Sequence, residues 1–156
     1  MIVRVAPTVD LRGAVAWQHQ EMTNKKQQVL NPMARQAWER LQSEFPSWQP
    51  YLSNRDGELE LAVPAPEGSQ AGYFVAFSHE NRLWIRFAPP YLSYAVDDED
   101  EMVSIVRRLT TDEIVFKLTM KGNEWVETTL AERSEEPEFD LGQTVRFVSW
   151  SGKFDR

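Results

Sequence analysis

The chain has 156 residues and a formal net charge of −7, and 42% of its residues are hydrophobic. This is the length of one ordinary domain, and the apolar content is too high for a disordered chain. Because there is no cysteine, a disulfide framework, a thiolate zinc site and a cysteine nucleophile are excluded. The negative charge argues against direct nucleic-acid binding, since affinity for phosphates comes chiefly from Lys and Arg.

Residues 1–30 have the weakest pattern. Gly13 and a Gln-rich polar stretch interrupt them, so we interpret 1–30 as an N-terminal arm, with partial order as an open alternative. No apolar run is long enough for a signal peptide or approaches the roughly 20 residues of a membrane span. We therefore expect a cytoplasmic protein with no membrane association.

A first helix is predicted from Asn31, which suits the N-cap, with Pro32 at the first helical position. It should end at Pro46, because proline disfavours helix in the residue before it. We expect its apolar stripe to face the core: Ala34, Ala37, Trp38, Leu41 and Phe45. A connector with Trp48 and Tyr51 is predicted to seal one edge of the core, and residues 54–57 are predicted to turn.

Three strands are predicted next, over 58–63, 72–77 and 82–87, with 78–81 as a hairpin loop. In the third, Leu83, Ile85 and Phe87 share one face, and Arg82, Trp84 and Arg86 share the other.

Two hypotheses describe the Arg82, Trp84 and Arg86 face. If nothing covers it, it exposes residue types enriched in interaction hot spots, and these three are candidate partner-binding residues. Otherwise the arginines pair across strands with Glu58, Glu60 or Glu127 and lie over Trp84.

Residues 89–96 are predicted to carry the chain over the sheet edge, with a polyproline-like ligand as the alternative for Pro89-Pro90-Tyr91. Tyr91 and Tyr94 flank Leu92 and are candidate linings of an aromatic ligand pocket between helix and sheet.

A second helix follows, with Met102, Ile105, Val106 and Leu109 at helical spacing. Its start is an acidic run: Asp97, Asp98, Glu99, Asp100 and Glu101. Asp98 and Glu101 match the capping-box spacing, and acids suit the positive end of the helix dipole. The alternative is a surface for a cationic partner. This run does not resemble a calcium-binding loop, because it lacks alternating oxygen ligands and a glycine.

Three further strands are predicted over 114–120, 124–130 and 143–150, with an acidic loop at 132–140. The predicted fold class is α+β, with antiparallel sheet of about six strands in the order α-βββ-α-βββ and two main helices packed on the sheet. We expect residues 31–156 to form one domain.

No catalytic constellation, metal site or cofactor motif is predicted. The glycines form no phosphate-binding loop, the two histidines, His19 and His79, lack a helical His partner, and adjacent residues such as Ser78-His79-Glu80 point different ways.

The leading functional hypothesis is a small acidic binding protein that neutralises or regulates a basic protein partner, such as a toxin domain, in the manner of an immunity protein. Its basis is the acidic, cysteine-free composition. Two alternatives remain: a small-ligand-binding domain or enzyme with an aromatic pocket, and a homo-oligomeric structural module.

Overall fold

A computed structural model describes residues 30–88, 92–138 and 141–156. These residues form two α-helices, a short 3-10 helix and eight strands. The elements, in chain order, are α1 (Pro32–Glu44), the 3-10 helix (Pro46–Tyr51), β1 (Leu52–Arg55), β2 (Glu58–Pro64), β3 (Tyr73–His79), β4 (Arg82–Ala88), β5 (Leu92–Val96), α2 (Glu99–Thr110), β6 (Ile114–Lys121), β7 (Glu124–Glu132) and β8 (Gln143–Val148).

The strands form two antiparallel sheets. The first is a five-stranded meander in the order β1-β2-β3-β4-β5, and the second has three strands in the order β7-β6-β8. Two-residue turns close two hairpins of the first sheet: Asp56-Gly57 and Glu80-Asn81. All four of these residues have positive φ angles, which is the backbone that matches the twist of paired strands.

Both helices begin at side-chain caps. The Asn31 side chain accepts a hydrogen bond from the Ala34 N–H at 2.8 Å, and the Asp98 side chain accepts one from the Glu101 N–H at 2.8 Å. Glu101 reaches back and accepts from the Asp97 N–H at 2.6 Å, one residue earlier than a standard capping box. Helix α1 ends at Glu44, with Phe45 as its C-cap before Pro46.

One core joins both sheets and both helices. The inner face of the five-stranded sheet packs against the buried stripes of α1 and α2, and against one face of the three-stranded sheet. Trp38, Ile85 and Met102 are buried in it. Phe87 of the first sheet meets Phe116 of the second edge to face, with ring centroids 5.0 Å apart. Trp48 packs on Phe45 at 4.0 Å and forms part of the predicted seal.

The predicted α+β class, two packed helices and antiparallel sheets are confirmed, and the six predicted strands match observed strands within two residues at each end. Two strands were not predicted: β1, in the connector and predicted turn, and β5, in the predicted crossing. With these two strands, the chain order is α-βββββ-α-βββ. The eight strands belong to two sheets.

The predicted arm lies outside the described residues except for Leu30, which is buried. The predicted crossing at Pro89-Pro90-Tyr91 also lies outside them. Within the described residues, no helix has the length and apolar content needed to cross a bilayer.

Candidate recognition surface

The five-stranded sheet has one face that both helices leave uncovered, because they pack on the opposite side. We call this the outer face. Its side chains, strand by strand, are Glu60, Ala62 and Pro64 of β2, Tyr73, Val75, Phe77 and His79 of β3, Arg82, Trp84 and Arg86 of β4, and Ser93 and Ala95 of β5. Strand alternation produces it, since Leu83, Ile85 and Phe87 point into the core.

A stacked aromatic pair lies at its centre. Phe77 and Trp84 are directly opposite each other on β3 and β4, with ring centroids 6.3 Å apart and planes inclined by 12°. Both are half-buried, and Tyr73, two rows along β3, is 43% exposed. The pair forms a flat apolar surface of the kind that a partner side chain can cover.

Arg86 lies over this pair. Its guanidinium carbon is 5.0 Å from the centre of the Phe77 ring, within cation–π range. Its cross-strand neighbours, Val75 and Ser93, are uncharged. Arg86 is exposed to solvent, and its guanidinium lies against the Phe77 ring.

The described residues do not form the predicted cross-strand ion pairs of Arg82 and Arg86. Neither Arg82 nor Arg86 has a carboxylate within 4.0 Å there, whereas Glu60 pairs with Arg55 at 3.5 Å. Trp84 stacks with Phe77 and does not lie beneath an arginine. Among the described residues, the cross-strand ion pairs of the second hypothesis are not formed, and neither helix covers this face.

Glu58 is hydrogen-bonded to residues other than the arginines. Its carboxylate accepts hydrogen bonds from the Asn31 side-chain amide at 3.2 Å and from the Ser78 hydroxyl. The Ser78 oxygen in turn accepts from the Leu59 N–H at 2.8 Å. These bonds join the start of α1 to β2 and β3. Ser78 is buried, while the neighbouring His79 is exposed. The contacts of Ser78 therefore serve the fold.

A half-open concavity of about 630 Å³ adjoins the aromatic pair. Val75, Phe77 and Arg86 line it on one side. Acidic side chains line the other: Asp56, Glu58, Glu60 and Glu80. The concavity has both charge signs around an apolar floor, an arrangement typical of the rim and centre of a protein interface.

Arg82 lies in a different environment from Arg86. A second concavity, of about 300 Å³, brings Arg82 together with the start of α2, including Asp97, Asp98 and Glu99. Two parts of the predicted partner-binding set are thus adjacent in space. Both arginines therefore line concavities that acidic side chains also line, with Glu60 and Glu80 at Arg86 and the α2 start at Arg82.

The acidic run of α2 is bound within the molecule. Asp98 and Glu101 cap the helix. Asp100 pairs with Arg40 of α1 at 2.8 Å, and Glu99 accepts a hydrogen bond from Gln36. A cationic partner at this run would compete with these contacts.

A matching ion pair joins the other ends of the two helices. Arg107 Nε donates to the Glu44 carboxylate at 2.7 Å. The hydrogen bond from Arg107 holds the pKa of Glu44 below its usual value. Surface pairs of this kind contribute little individually to stability, and this one links the C-terminal ends of α1 and α2.

Tyr94, a predicted pocket residue, joins the two sheets. Its ring packs edge to face on Phe87 with centroids 6.3 Å apart, and its hydroxyl accepts a hydrogen bond from the Leu130 N–H of β7 at 3.3 Å. Burial raises the pKa of Tyr94. Tyr91, the other predicted pocket residue, lies outside the described residues.

Three residues that complete the surface were not singled out from the sequence: Tyr73, Val75 and Phe77. Their signal was the alternation of β3, in which Phe74, Ala76 and Ser78 are buried. In the part of the chain that the structure describes, no three His, Cys, Asp or Glu residues are grouped to hold a metal ion.

The outer face therefore combines a rigid sheet, a stacked ring pair and an arginine without a carboxylate partner among the described residues. These groups can bind a partner through apolar contact and charge. Comparisons with protein-family models, with curated proteins and with solved structures found no match to this chain. The surface itself is consequently the basis for assigning a function.

Proposed function

We propose that the chain is a protein-binding domain that holds its partner against the outer face. The observation that supports this most is the half-buried Phe77–Trp84 pair with Arg86 above it. Trp, Tyr and Arg are the residue types most often found at interface hot spots. Leu83, Ile85 and Phe87 of β4 lie in the core, so the outer-face groups of this strand are held in place before a partner arrives.

The shape of the surface agrees with a protein partner. Exposed small residues, Ala62, Ser93 and Ala95, lie on the same face as the rings, and they allow another backbone to approach closely. Charged groups surround the apolar centre, including Arg55, Glu60 and Glu80. An apolar patch with a charged rim marks an interaction site more often than a scattered surface residue does.

Site-specific photo-crosslinking tests the proposal. The full-length chain, with a benzoylphenylalanine in place of Val75, is irradiated in the cells that naturally produce it. The control carries the same group in place of Thr129, which is half-buried on the other sheet. We expect one defined adduct at position 75 only.

The partner in that adduct is then identified, purified and titrated with the wild-type chain and with Trp84→Ala. Loss of a hot-spot tryptophan should weaken the complex by about tenfold or more. Equal crosslinking at both positions, or equal affinity of the Trp84→Ala variant, would contradict the proposal. Circular dichroism of the variant checks that its fold is retained.

A second candidate is the neutralisation of a basic protein, such as a toxin domain. The net charge of −7 favours it, together with the exposed Glu127 and Glu138, which line a polar concavity of about 430 Å³ on the three-stranded sheet. Association would then be fast and strongly salt-dependent. If Glu127→Gln with Glu138→Gln leaves affinity for the crosslinked partner and its salt dependence unchanged, this candidate is wrong.

A further inference from the structure

The start of α1 lies beside the concavity of the outer face. The Asn31 N–H donates to the Gly57 carbonyl oxygen at 2.8 Å, and the Asn31 side-chain amide donates to Glu58 at 3.2 Å. Asp56 and Glu58, on either side of Gly57, line the same concavity as Phe77. Residues 1–29 of the chain are therefore connected to the domain next to this concavity.

Residues 1–29 and the rest of the chain have opposite net charges. Residues 1–29 contain four Lys and Arg against two Asp and Glu, a net charge of +2, whereas residues 30–156 contain thirteen against twenty-two, a net charge of −9. Four acids and two arginines line the concavity. One of these acids, Glu58, accepts its hydrogen bonds from the neutral groups of Asn31 and Ser78, which do not compensate its charge. A positively charged segment is therefore attracted to this end of the outer face.

Residues 9–17 have apolar side chains at alternate positions, which we call the apolar strip. These side chains are Val9, Leu11, Val15 and Trp17, with Gly13 completing the series. Alternate side chains of an extended segment share one side. The stacked rings of Phe77 and Trp84 on the outer face are an apolar surface that such a strip can cover.

The chain between the apolar strip and α1 is long enough for this contact. Thirteen residues lead from Trp17 to Leu30, and they can span about 40 Å. A sheet of five strands is only about 20 Å wide. Lys25 and Lys26 lie within five residues of Leu30 and therefore remain within about 17 Å of it, close to the acids of the concavity.

We infer that residues 9–17 bind the outer face of their own chain, with the apolar strip on the Phe77–Trp84 rings and Lys25 and Lys26 near Asp56 and Glu58. The inference rests on the proposed function, because it makes the segment a competitor for the partner's site. Tethering gives such a segment an effective concentration of about a millimolar. Weak partners are consequently excluded, and a tight partner displaces the segment.

The three-stranded sheet is the alternative site for a positively charged segment. Its polar concavity contains Glu127 and Glu138, but no aromatic side chain of the described residues lines it. It can attract the lysines and has no ring for the apolar strip to cover. The amides of β6, β7 and β8 therefore serve as the internal comparison in the test.

Paramagnetic relaxation in the full chain tests the inference. Because the sequence contains no cysteine, Ala14→Cys provides a single site for a nitroxide within residues 9–17. Amide intensities of the ¹⁵N-labelled chain are compared before and after the nitroxide is reduced. We expect the amides of β3 and β4 to lose about half of their intensity or more, because a tethered segment is bound for most of the time. The inference is wrong if they lose no more than the amides of β6, β7 and β8.

Two double variants test the role of the lysines. Lys25→Glu with Lys26→Glu should reduce the intensity loss at β3 and β4 by about twofold or more, since repulsion from Asp56 and Glu58 replaces attraction. The matched control is Lys121→Glu with Lys153→Glu, which reverses the same charges at exposed positions at the end of β6 and after β8. Equal effects of the two double variants would overturn the inference.

A mixed sample shows whether the segment and the face belong to one chain. The ¹⁵N-labelled chain without a nitroxide is mixed with an equal amount of the nitroxide-bearing chain that has no ¹⁵N. The amides of β3 and β4 should keep their intensity in this mixture. An equal loss there would assign the occupant to a second copy and overturn the inference.

The partner that crosslinks at position 75 separates this inference from the function on which it rests. Trp17→Ala should raise the affinity of the chain for that partner by about threefold or more, because a larger fraction of the chain has an open face. An unchanged affinity would overturn the inference and leave the protein-binding function supported. Intensity loss at β3 and β4 without any partner adduct would support the docking of residues 9–17 and contradict the protein-binding function.

Discussion

The side chain of Tyr94 contacts both sheets. Its ring packs on Phe87 of the five-stranded sheet, and its hydroxyl accepts the Leu130 N–H at the edge of β7. An edge strand has backbone groups without a strand partner, and the Tyr94 hydroxyl satisfies one of them. Its contribution to stability should therefore be measurable by removing one oxygen atom.

Tyr94→Phe is expected to lower the free energy of unfolding by about 1 kcal/mol at pH 8, because one hydrogen bond is lost. Burial raises the pKa of Tyr94 in the folded state, so the unfolded chain ionises first. The stabilisation is present below the ordinary tyrosine pKa of about 10 and is lost as the pH rises through the folded pKa.

Urea unfolding at pH 8 and pH 11 measures this difference, with Tyr73→Phe on the outer face as the control. The gap between Tyr94→Phe and wild type should narrow at pH 11, and the control should not show the change. A gap of the same size at both pH values would mean that Tyr94 ionisation is not linked to folding.

The sequence placed Arg82, Trp84 and Arg86 on one strand face, because strand alternation is a local property. It could not supply Phe77 as the ring beneath Arg86, since the register of β3 against β4 depends on a pairing between strands. Nor could it show that Glu58 bonds to Asn31 and Ser78. Those contacts bridge separate elements.

At the scale of the elements, the start of α2 depends on its cap. Asp98 accepts the Glu101 N–H through its side chain, whereas the contact of Asp97 in this turn is made through its backbone N–H. The two acids have equal charge and are adjacent. They therefore separate hydrogen bonding at the N-cap from the general effect of negative charge at a helix start.

Asp98→Ala should lower the free energy of unfolding by about 1 kcal/mol, because a helical N–H loses its acceptor. Asp97→Ala should lower the free energy of unfolding by only a few tenths of that amount, because it removes a negative charge near the positive end of the helix dipole. Chemical unfolding of both variants under the same conditions compares them. Equal losses would show that charge, and not the cap, explains the acidic run.

The caps and the apolar stripes of both helices were predictable, because their signals lie within a few residues. Strand β1 is only four residues long and adjoins the Asp56-Gly57 turn, so the turn signal obscured it. Strand β5 does alternate, with Val96 buried and Ser93 and Ala95 exposed. A preceding proline pair and a following acidic run gave stronger signals for a connection than those five residues gave for a strand.

For the molecule as a whole, the two sheets share one core. Phe87 and Phe116 come from different sheets and are both fully buried. Trp150, which follows β8, packs against Phe74 of β3 with centroids 5.4 Å apart. Contacts of this kind couple the folding of the two sheets.

Phe116→Ala should lower the free energy of unfolding by about 3–5 kcal/mol, since it leaves a cavity between the sheets. Thr119→Ala, on the other face of the same strand, should cost much less. Far-UV circular dichroism and tryptophan fluorescence should report one coincident transition for the wild-type chain. Two separate transitions would show that the sheets unfold independently.

The α+β class was predictable because short connections between strands imply antiparallel pairing. The division into two sheets was not, since nothing local distinguishes the connection through α2 from a continuation of one sheet. The charge pattern likewise indicated acids at the surface without indicating which ones form internal contacts, as Asp100 does with Arg40.

In strand β4, residues that pack in the core alternate with residues on the outer face. Leu83, Ile85 and Phe87 pack in the core, and Arg82, Trp84 and Arg86, which alternate with them, lie on the outer face. Substitutions at the solvent-facing positions can therefore alter what the domain binds with little loss of stability. The same separation makes this strand a convenient place to retarget the domain by directed evolution, leaving every second residue untouched.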